Sequence, residues 1–401
     1  MSMVAFANAP YPRVARLFLK IAESITTGML QITTPEGHRH IFRGEEEGPR
    51  ATITLHHWGV VRRLLSRGDV GFALDYVDGN WETDDLPALL TLATLNADKL
   101  ETFFHGKWWA QAVFLLRHVL RMNTRSGSRR NIMAHYDLGN DFYRLWLDET
   151  MTYSSALFNG NYQQSLASAQ RAKYERILNR LNLREGQSLL EIGCGWGGLA
   201  ETAMQYGAKV TGLTLSERQA EFARKRLADS ARGQAEIRLQ DYRDLKEQYD
   251  HIVSIEMFEA VGKKYWPVYF QKIRECLKPG GKAVIQTITI HEEVFQGYRY
   301  RSDFIQQFTF PGGMLPSSQR FLKEARRAGL RVNDVYAFGQ DYAETLSRWL
   351  KDFDREIMQV KALGYDEEFI RLWRFYLSYC IAGFRSGRTD VIQVELSHDA
   401  L

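Results

Sequence analysis

From about Ser188 onward, short apolar runs alternate with amphipathic ones. "SLLEIG", "AKVTGLTL", "AEIRLQD", "YDHIVSIEMFE" and "GKAVIQTITI" read as strands, while "GLAETAMQY", "SERQAEFARKRLADS" and "YWPVYFQKIRECL" space their apolar residues as helices do. Strands regularly separated by helices predict an α/β fold. Its sheet is doubly wound and mostly parallel, with ligand loops at the carboxyl ends of the strands. Lys278-Pro279-Gly280-Gly281 predicts a tight turn feeding the fifth strand.

The first 120 residues follow a different pattern. Val14, Leu17, Phe18 and Ile21 recur at helical spacing, and "LQITTP" and "ATITLHH" alternate as short strands. "GFALDYVDGNWETDDLPALLTLATL" reads as a turn leading into a helix, with Thr83 to Asp85 near its start. "FFHGKWWAQAVFLLRHVLRM" is rich in aromatic residues for a surface helix. "RMNTRSGSRRN" then gathers Arg121, Arg125, Arg129 and Arg130 around Ser126-Gly127-Ser128. The expected organisation is a smaller α+β or helical domain over 1–120, a basic linker over 121–131, and the α/β domain over 132–401. The aromatic helix either packs on the neighbouring domain or faces lipid with the arginines on headgroups, and the pattern leaves both open.

Composition narrows the class. With 401 residues, 45% hydrophobic and 25% charged, the chain has ample material for two globular domains. A net charge of +4 permits an anionic membrane surface as partner without demanding one. Cys194, Cys276 and Cys380 lie far apart, which argues against a disulfide framework or a zinc site and for a reducing compartment. There is no secretory apolar stretch and no run long enough for a membrane span, so a cytoplasmic protein with peripheral membrane contact is expected. No metal site is expected, since the adjacent His56 and His57 sit in a "LHHWG" turn. A strand face mixing aromatic and basic residues, of the kind that stacks bases, is missing, which counts against nucleic acid.

The candidate chemistry begins at "EIGCGWGG", where Gly193, Gly195 and Gly198 spell G-x-G-x-x-G. That spacing alone is weak. Glu191 decides its meaning: a carboxylate two residues before the first glycine would repel a pyrophosphate. It suits a cofactor bearing an amino group and a sulfonium, so S-adenosylmethionine is the expected ligand. Thr214, Ser216 and Gln219 follow the second strand, as groups for its ribose and methionine portions. Asp241 follows the third, for the adenine amino group, with Tyr242 packing on its face. Cys194 is expected to be packing only.

Longer segments resemble the cyclopropane-fatty-acyl-phospholipid synthase family, which includes the mycolic acid cyclopropane synthases. They are "HYDLGNDFYRLWLDETMTYSSALF", "EIGCGWGG", "GLTLSERQ", "SIEMFEAVGKKYWPVYF", "FIQQFTFPGGMLPS", "DYAETLSRWLKDF" and "YLSYCIAGFRSG", in that order. The resemblance runs from about residue 130 to the end and extends weakly into the first domain through "GFALDYVDGNWETDDL". It implies a Rossmann-like class I methyltransferase domain, with Tyr153 and Ser154 joining the cofactor site. The reaction it implies is methyl or methylene transfer onto a double bond of an unsaturated phospholipid acyl chain, by a homodimer on a membrane. Aromatic faces would then stabilise a carbocation; Phe142, Tyr143, Trp146, Tyr153, Phe158, Tyr298, Phe304 and Phe308 are candidates.

The family is understood to hold a bicarbonate as base. Glu259, Ile288 and Tyr342 match its positions; Ser155 stands where the family has cysteine, Gln286 where it has histidine, and Ala260 replaces the histidine beside the glutamate. Either Ser155 and Gln286 still donate to bicarbonate and a cyclopropane forms, or the base is lost or moved. In the second case a methylated olefin or methylene branch results. Two further classes stay open: a small-molecule amine N-methyltransferase and a non-catalytic lipid-binding protein.

Overall fold

The computed structural model describes residues 11–99, 138–228, 233–298, 304–308 and 313–398. The aromatic stretch from Phe103 and the basic linker expected over 121–131 lie outside the described residues. The chain divides into two compact units. One joins the described residues up to 99 with Gly364–Ser386, and the other joins those from 138 to Leu363 with those from Gly387 onward. This division differs from the expected boundaries in one segment, because the helix Glu367–Arg385 belongs to the first unit.

In the first unit a four-stranded sheet has the order β2 (Arg39–Arg43), β1 (Thr27–Thr33), β3 (Glu46–Leu55), β4 (Trp81–Glu82). In β3 Ala51, Ile53 and Leu55 are buried at a spacing of two, as a half-buried strand requires. Helix Leu86–Leu95 starts where Asp85 accepts a hydrogen bond from the Ala88 amide at 2.8 Å. Arg371 and Tyr379, from the late helix, bond the Tyr76 carbonyl at 2.6 Å and Asp69 at 3.0 Å. One local expectation needs correction. Gly71–Val77 is helix, the end of Gly59–Val77, rather than turn. The first helix, Arg13–Ala22, buries Ala15, Leu19 and Ala22 together with Ile21, leaving Leu17 41% exposed. The small alanines let that side approach its neighbours closely.

The second unit has a seven-stranded sheet. Its order is β10 (Arg331–Ala337), β11 (Thr389–Ser397), β9 (Leu277–Ile290), β8 (Tyr249–Ile255), β5 (Ser188–Ile192), β6 (Lys209–Thr214), β7 (Gln234–Leu239). Strands β5 to β9 run parallel and β11 is antiparallel to both β9 and β10, so the sheet is α/β and mostly parallel, as expected. Pairing of β8 with β9 jumps from Tyr249–Leu277 to His251–Lys282, which loops out Lys278 to Gly281 with Gly280 at φ +78. Strand β5 lies centrally, with β6 and β7 on one side and β8 and β9 on the other. The chain therefore changes direction at β5, the position where open α/β sheets bind ligands. Among the described residues no helix is long and apolar enough to cross a membrane.

Candidate active site

At the end of β5 the backbone turns through Gly193, Gly195 and Gly197, at φ +84, +50 and +83, before helix Gly198–Gln205 begins. The amides of Gly193 and Cys194 both donate to the Leu213 carbonyl, at 3.0 and 2.8 Å, which ties the loop to β6. A Cβ on Gly193 would lie 3.0 Å from Met257, whereas one on Gly195 would meet nothing within 4 Å. Gly195 thus borders open space in a conformation that side-chain-bearing residues avoid. Glu191 is 3% exposed and its Oε2 is buried without a partner. Burial pushes its pKa up to about 8, against the pull of Lys173. A buried carboxylate oxygen awaiting a partner beside an open glycine turn fits the cationic head of S-adenosylmethionine.

The remaining cofactor candidates are grouped by short local contacts. Thr214 Oγ1 donates to Gln219 Oε1 at 2.9 Å and accepts from the Ser216 amide at 3.1 Å. Ser216 caps helix Glu217–Leu227 by accepting from the Gln219 amide at 3.3 Å. Asp241 does not stand free: it accepts from Arg243 Nε at 2.9 Å, while the Tyr242 ring meets Tyr269 edge-on at 5.5 Å. Ser154 accepts from Lys173 Nζ at 2.6 Å, and Tyr153 lies 5.3 Å from Trp349, 5.5 Å from Tyr143 and 5.6 Å from Trp146. Cys194 is buried in packing, its Cβ 3.1 Å from where a Cβ on Gly212 would be. Burial raises its thiol pKa, so it is no nucleophile.

A second cluster forms around a residue that sequence reading passed over. Glu256 directly follows β8 and has φ +48, a left-handed conformation worth about 1–3 kcal/mol of strain for a side-chain-bearing residue. Its amide donates to the Gln286 carbonyl at 2.8 Å. Three donors converge on its carboxylate: the Ser155 amide at 2.9 Å, Gln286 Nε2 at 2.7 Å and the Tyr342 hydroxyl at 2.6 Å. Gln393 Nε2 in turn donates to Gln286 Oε1 at 2.9 Å, which fixes the amide so that its nitrogen faces Glu256.

Glu259, three residues further along the same loop, accepts from the Ile288 amide and from Thr287 Oγ1 at 2.9 Å; its Oε2 is buried without a partner. Burial and the neighbouring Glu256 push Glu259 up to about 8. Glu256 is also raised by burial, but the Tyr342 hydroxyl, Lys173, the Ser155 amide and Gln286 all pull it back. Of the two carboxyl groups, Glu256 is built to carry the negative charge and Glu259 to hold a proton.

These contacts bring together the residues expected at the base site. Ser155, Gln286 and Tyr342 converge as expected, but on Glu256 rather than on space for a small anion. Ser155 contributes its amide, because its hydroxyl donates to the Ala156 carbonyl at 3.0 Å. The Ile288 amide is spent on Glu259. The donors expected for a bicarbonate are thus taken up by Glu256 and Glu259. Among the aromatic candidates, Phe142, Phe158 and Phe304 are core, and Tyr298 accepts from Gln306 Nε2 at 2.9 Å. Tyr143, Trp146 and Tyr153 form a continuous wall with Trp349, which reaches Tyr342 at 6.2 Å. Phe308 ends the short helix Phe304–Phe308.

Helix Gly339–Arg355 holds the segment above this wall. Asp341 accepts from the Phe158 and Asn159 amides at 2.7 and 3.1 Å, and Thr345 Oγ1 from the Ala156 amide at 3.1 Å. One helix therefore positions both the Tyr342 hydroxyl and the strap bearing Ser154 and Ser155.

A family model described as mycolic acid cyclopropane synthetase matches residues 123–394. The chain belongs to this family. The tuberculostearic acid methyltransferase UfaA1 of Mycobacterium tuberculosis is 40% identical over 86% of this chain and 83% of its own length. Cyclopropane-fatty-acyl-phospholipid synthase of Escherichia coli is 34% identical over 86% and 88%. The solved mycolic acid cyclopropane synthase CmaA1, in complex with SAH and CTAB, is 33% identical with a TM-score of 0.63, over 67% of this chain and 97% of that one. As a family member the protein is an S-adenosylmethionine-dependent methyltransferase with a Rossmann-like class I fold, acting in lipid or fatty acid modification. That answers the non-catalytic alternative.

Glu256, Lys173 and Trp349 went unnoticed in the sequence. Glu256 carried one signal: it is the first charged residue after an apolar strand, at the strand end where ligands gather.

Proposed function

We propose that the protein methylates a double bond of an unsaturated fatty acyl chain carried by a membrane phospholipid, with Glu256 as the base. The observation that carries this reading is the convergence of Ser155, Gln286 and Tyr342 on one ionisable carboxylate of the chain itself. S-adenosylmethionine, when bound, supplies an electrophilic methyl group whose addition to an alkene leaves positive charge on the acyl chain.

Around that chemistry each residue has a task. Glu191 takes the cofactor's cationic head, and Gly193 and Gly195 admit its nucleoside. Thr214, Ser216 and Gln219 line the next loop, Tyr153 and Ser154 close over it, and Tyr242 packs on the adenine. Asp241 takes the adenine amino group by giving up part of its contact with Arg243. Tyr153, the one partly exposed ring of the wall, offers its π face to the cation, and the fully buried Tyr143, Trp146 and Trp349 pack behind it. Glu256 accepts the proton that the cation loses, and Glu259, already protonated, adds no competing charge.

A methylated olefin or a methylene branch, the two products that proton loss from the cation to Glu256 can give, is the reading we favour over a cyclopropane. It draws on the name of the tuberculostearic acid methyltransferase relative and on the base being tethered rather than diffusible. The same reading puts the protein on the cytoplasmic face of an anionic membrane, as a dimer, with its net charge of +4 aiding contact. Flotation with anionic vesicles and light scattering test those two points.

Mass spectrometry of fatty acids from cells expressing the protein, fed methyl-deuterated methionine, tests the product. A branched chain retaining the label, as methyl or exocyclic methylene, is expected. A saturated ring retaining two deuteriums would overturn the branched assignment. Unlabelled lipid beside a labelled small amine would overturn the substrate class.

A further inference from the structure

Helix Leu166–Leu181 buries a stripe made of Leu166, Ala169, Gln170, Lys173, Tyr174, Ile177, Leu178 and Leu181. Two of these residues are out of place in an apolar stripe. Lys173 is fully buried, with its ammonium 4.7 Å from the Tyr174 ring centroid. Its hydrogen bond goes to a hydroxyl, Ser154 Oγ, at 2.6 Å. Gln170, one turn earlier and equally buried, donates from Nε2 to the Ser154 carbonyl at 2.9 Å. The helix thus grips Ser154 by both of its oxygens, and the next amide, that of Ser155, donates to Glu256.

A buried ammonium is expensive, and a well-packed apolar side chain would serve stability as well or better. We propose that Lys173 is a positioning residue for the base: it holds the Ser154–Ser155 strap on Glu256 and supplies the positive charge that keeps Glu256 ionised. The proposal rests on the reading of Glu256 as base.

The charges around the ammonium agree in sign. Lys173 faces Asp148 from the segment before the strap, Glu191 from β5 and Glu256 from the end of β8. All three oppose the burial that brings its pKa down to about 7. Glu256 faces Lys173, Tyr342, Gln286, the Ser155 amide and Glu259; of these only Glu259 is a potential like charge, and it is held protonated to about pH 8. Ionisation of Glu256 lowers the cost of the ammonium, and the ammonium lowers the cost of ionisation. Removing the ammonium therefore raises the Glu256 pKa, and the acid limb of the rate profile moves to higher pH.

The test uses the full chain, methyl-labelled S-adenosylmethionine and vesicles of dioleoyl phosphatidylglycerol, comparing Lys173→Met with Gln170→Leu. Lys173→Met is expected to move the acid limb of the single-turnover rate up by about one pH unit, a tenfold loss at fixed acid pH. The limb is read at saturating S-adenosylmethionine, because Lys173 also holds Ser154 and faces Glu191. Gln170→Leu loosens the strap without removing charge, so it should slow the reaction and leave the limb in place. Lys173→Gln keeps a donor for Ser154 and should show the same shift if the methionine variant folds poorly.

Infrared titration of the protonated-carboxyl band that disappears in Glu256→Gln reads the same shift without any lipid. An unmoved limb and band in both lysine variants, or an equal shift in Gln170→Leu, overturns the role of Lys173. Full turnover by Glu256→Gln would instead sink the assignment of the base itself, so the two failures are distinguishable.

Discussion

The glycine loop after β5 and the carboxylate cluster after β8 sit at neighbouring strand ends of one sheet, yet they are built in opposite ways. The loop is made of backbone: three positive-φ glycines, two amides tied to one carbonyl, and a single carboxylate underneath. The cluster joins four distant segments: the Ser155 amide and the Gln286 and Tyr342 side chains meet on Glu256. A backbone cradle is encoded locally and tolerates change around it. A converging cluster depends on every segment that enters it.

The comparison breaks most visibly at the cluster. Glu256→Gln should lower turnover by about 10²–10⁴-fold, the usual worth of a general base, with cofactor affinity nearly unchanged. Calorimetric titration with S-adenosylmethionine beside a turnover assay reads both; a parallel loss of affinity would put Glu256 in the cofactor site.

Glu191→Gln should do the reverse, weakening cofactor binding by about 10–100-fold through loss of a charge-assisted contact. Its pH dependence follows from the raised pKa. With Glu191 neutral below about 8, binding a cationic cofactor must first release its proton, so wild-type affinity should climb between pH 6 and 8. That slope should vanish in Glu191→Gln.

Gly195→Ala should cost about 1–2 kcal/mol of backbone strain and also fill the space beside the loop. A modest fall in melting temperature with a larger loss of cofactor affinity is the expected pattern. Ser155→Ala should be the mildest change, within about threefold in turnover, because Ser155 serves Glu256 through its amide. A large loss there would mean that the hydroxyl acts directly.

The same contrast explains what the sequence disclosed. Strand and helix alternation, the glycine turn and Glu191 were legible because each is a local pattern with one physical meaning. Ser155, Gln286 and Tyr342 were found together through family resemblance, but their common partner was not. Glu256 stands inside "SIEMFEAVG" beside the better-known Glu259, and only the parallel pairing of Ile255 with Gln286 brings it under its donors. Lys173 was hidden for a related reason: a lysine in "AQRAKYERI" reads as a solvated helix face until the stripe from Leu166 to Leu181 is seen to run through it. The helix Glu367–Arg385 interrupts the second unit in the chain but packs in the first, which no local pattern announces.

The central claim is that the base belongs to the chain. Turnover of wild type and Glu256→Gln in rigorously bicarbonate-free buffer, then with bicarbonate restored, tests it most directly. The account predicts a wild-type rate indifferent to bicarbonate and a Glu256→Gln variant that stays slow with or without it, because the glutamine fills the place of the glutamate among the same donors. A wild-type rate that collapses without bicarbonate and returns with it would contradict the account.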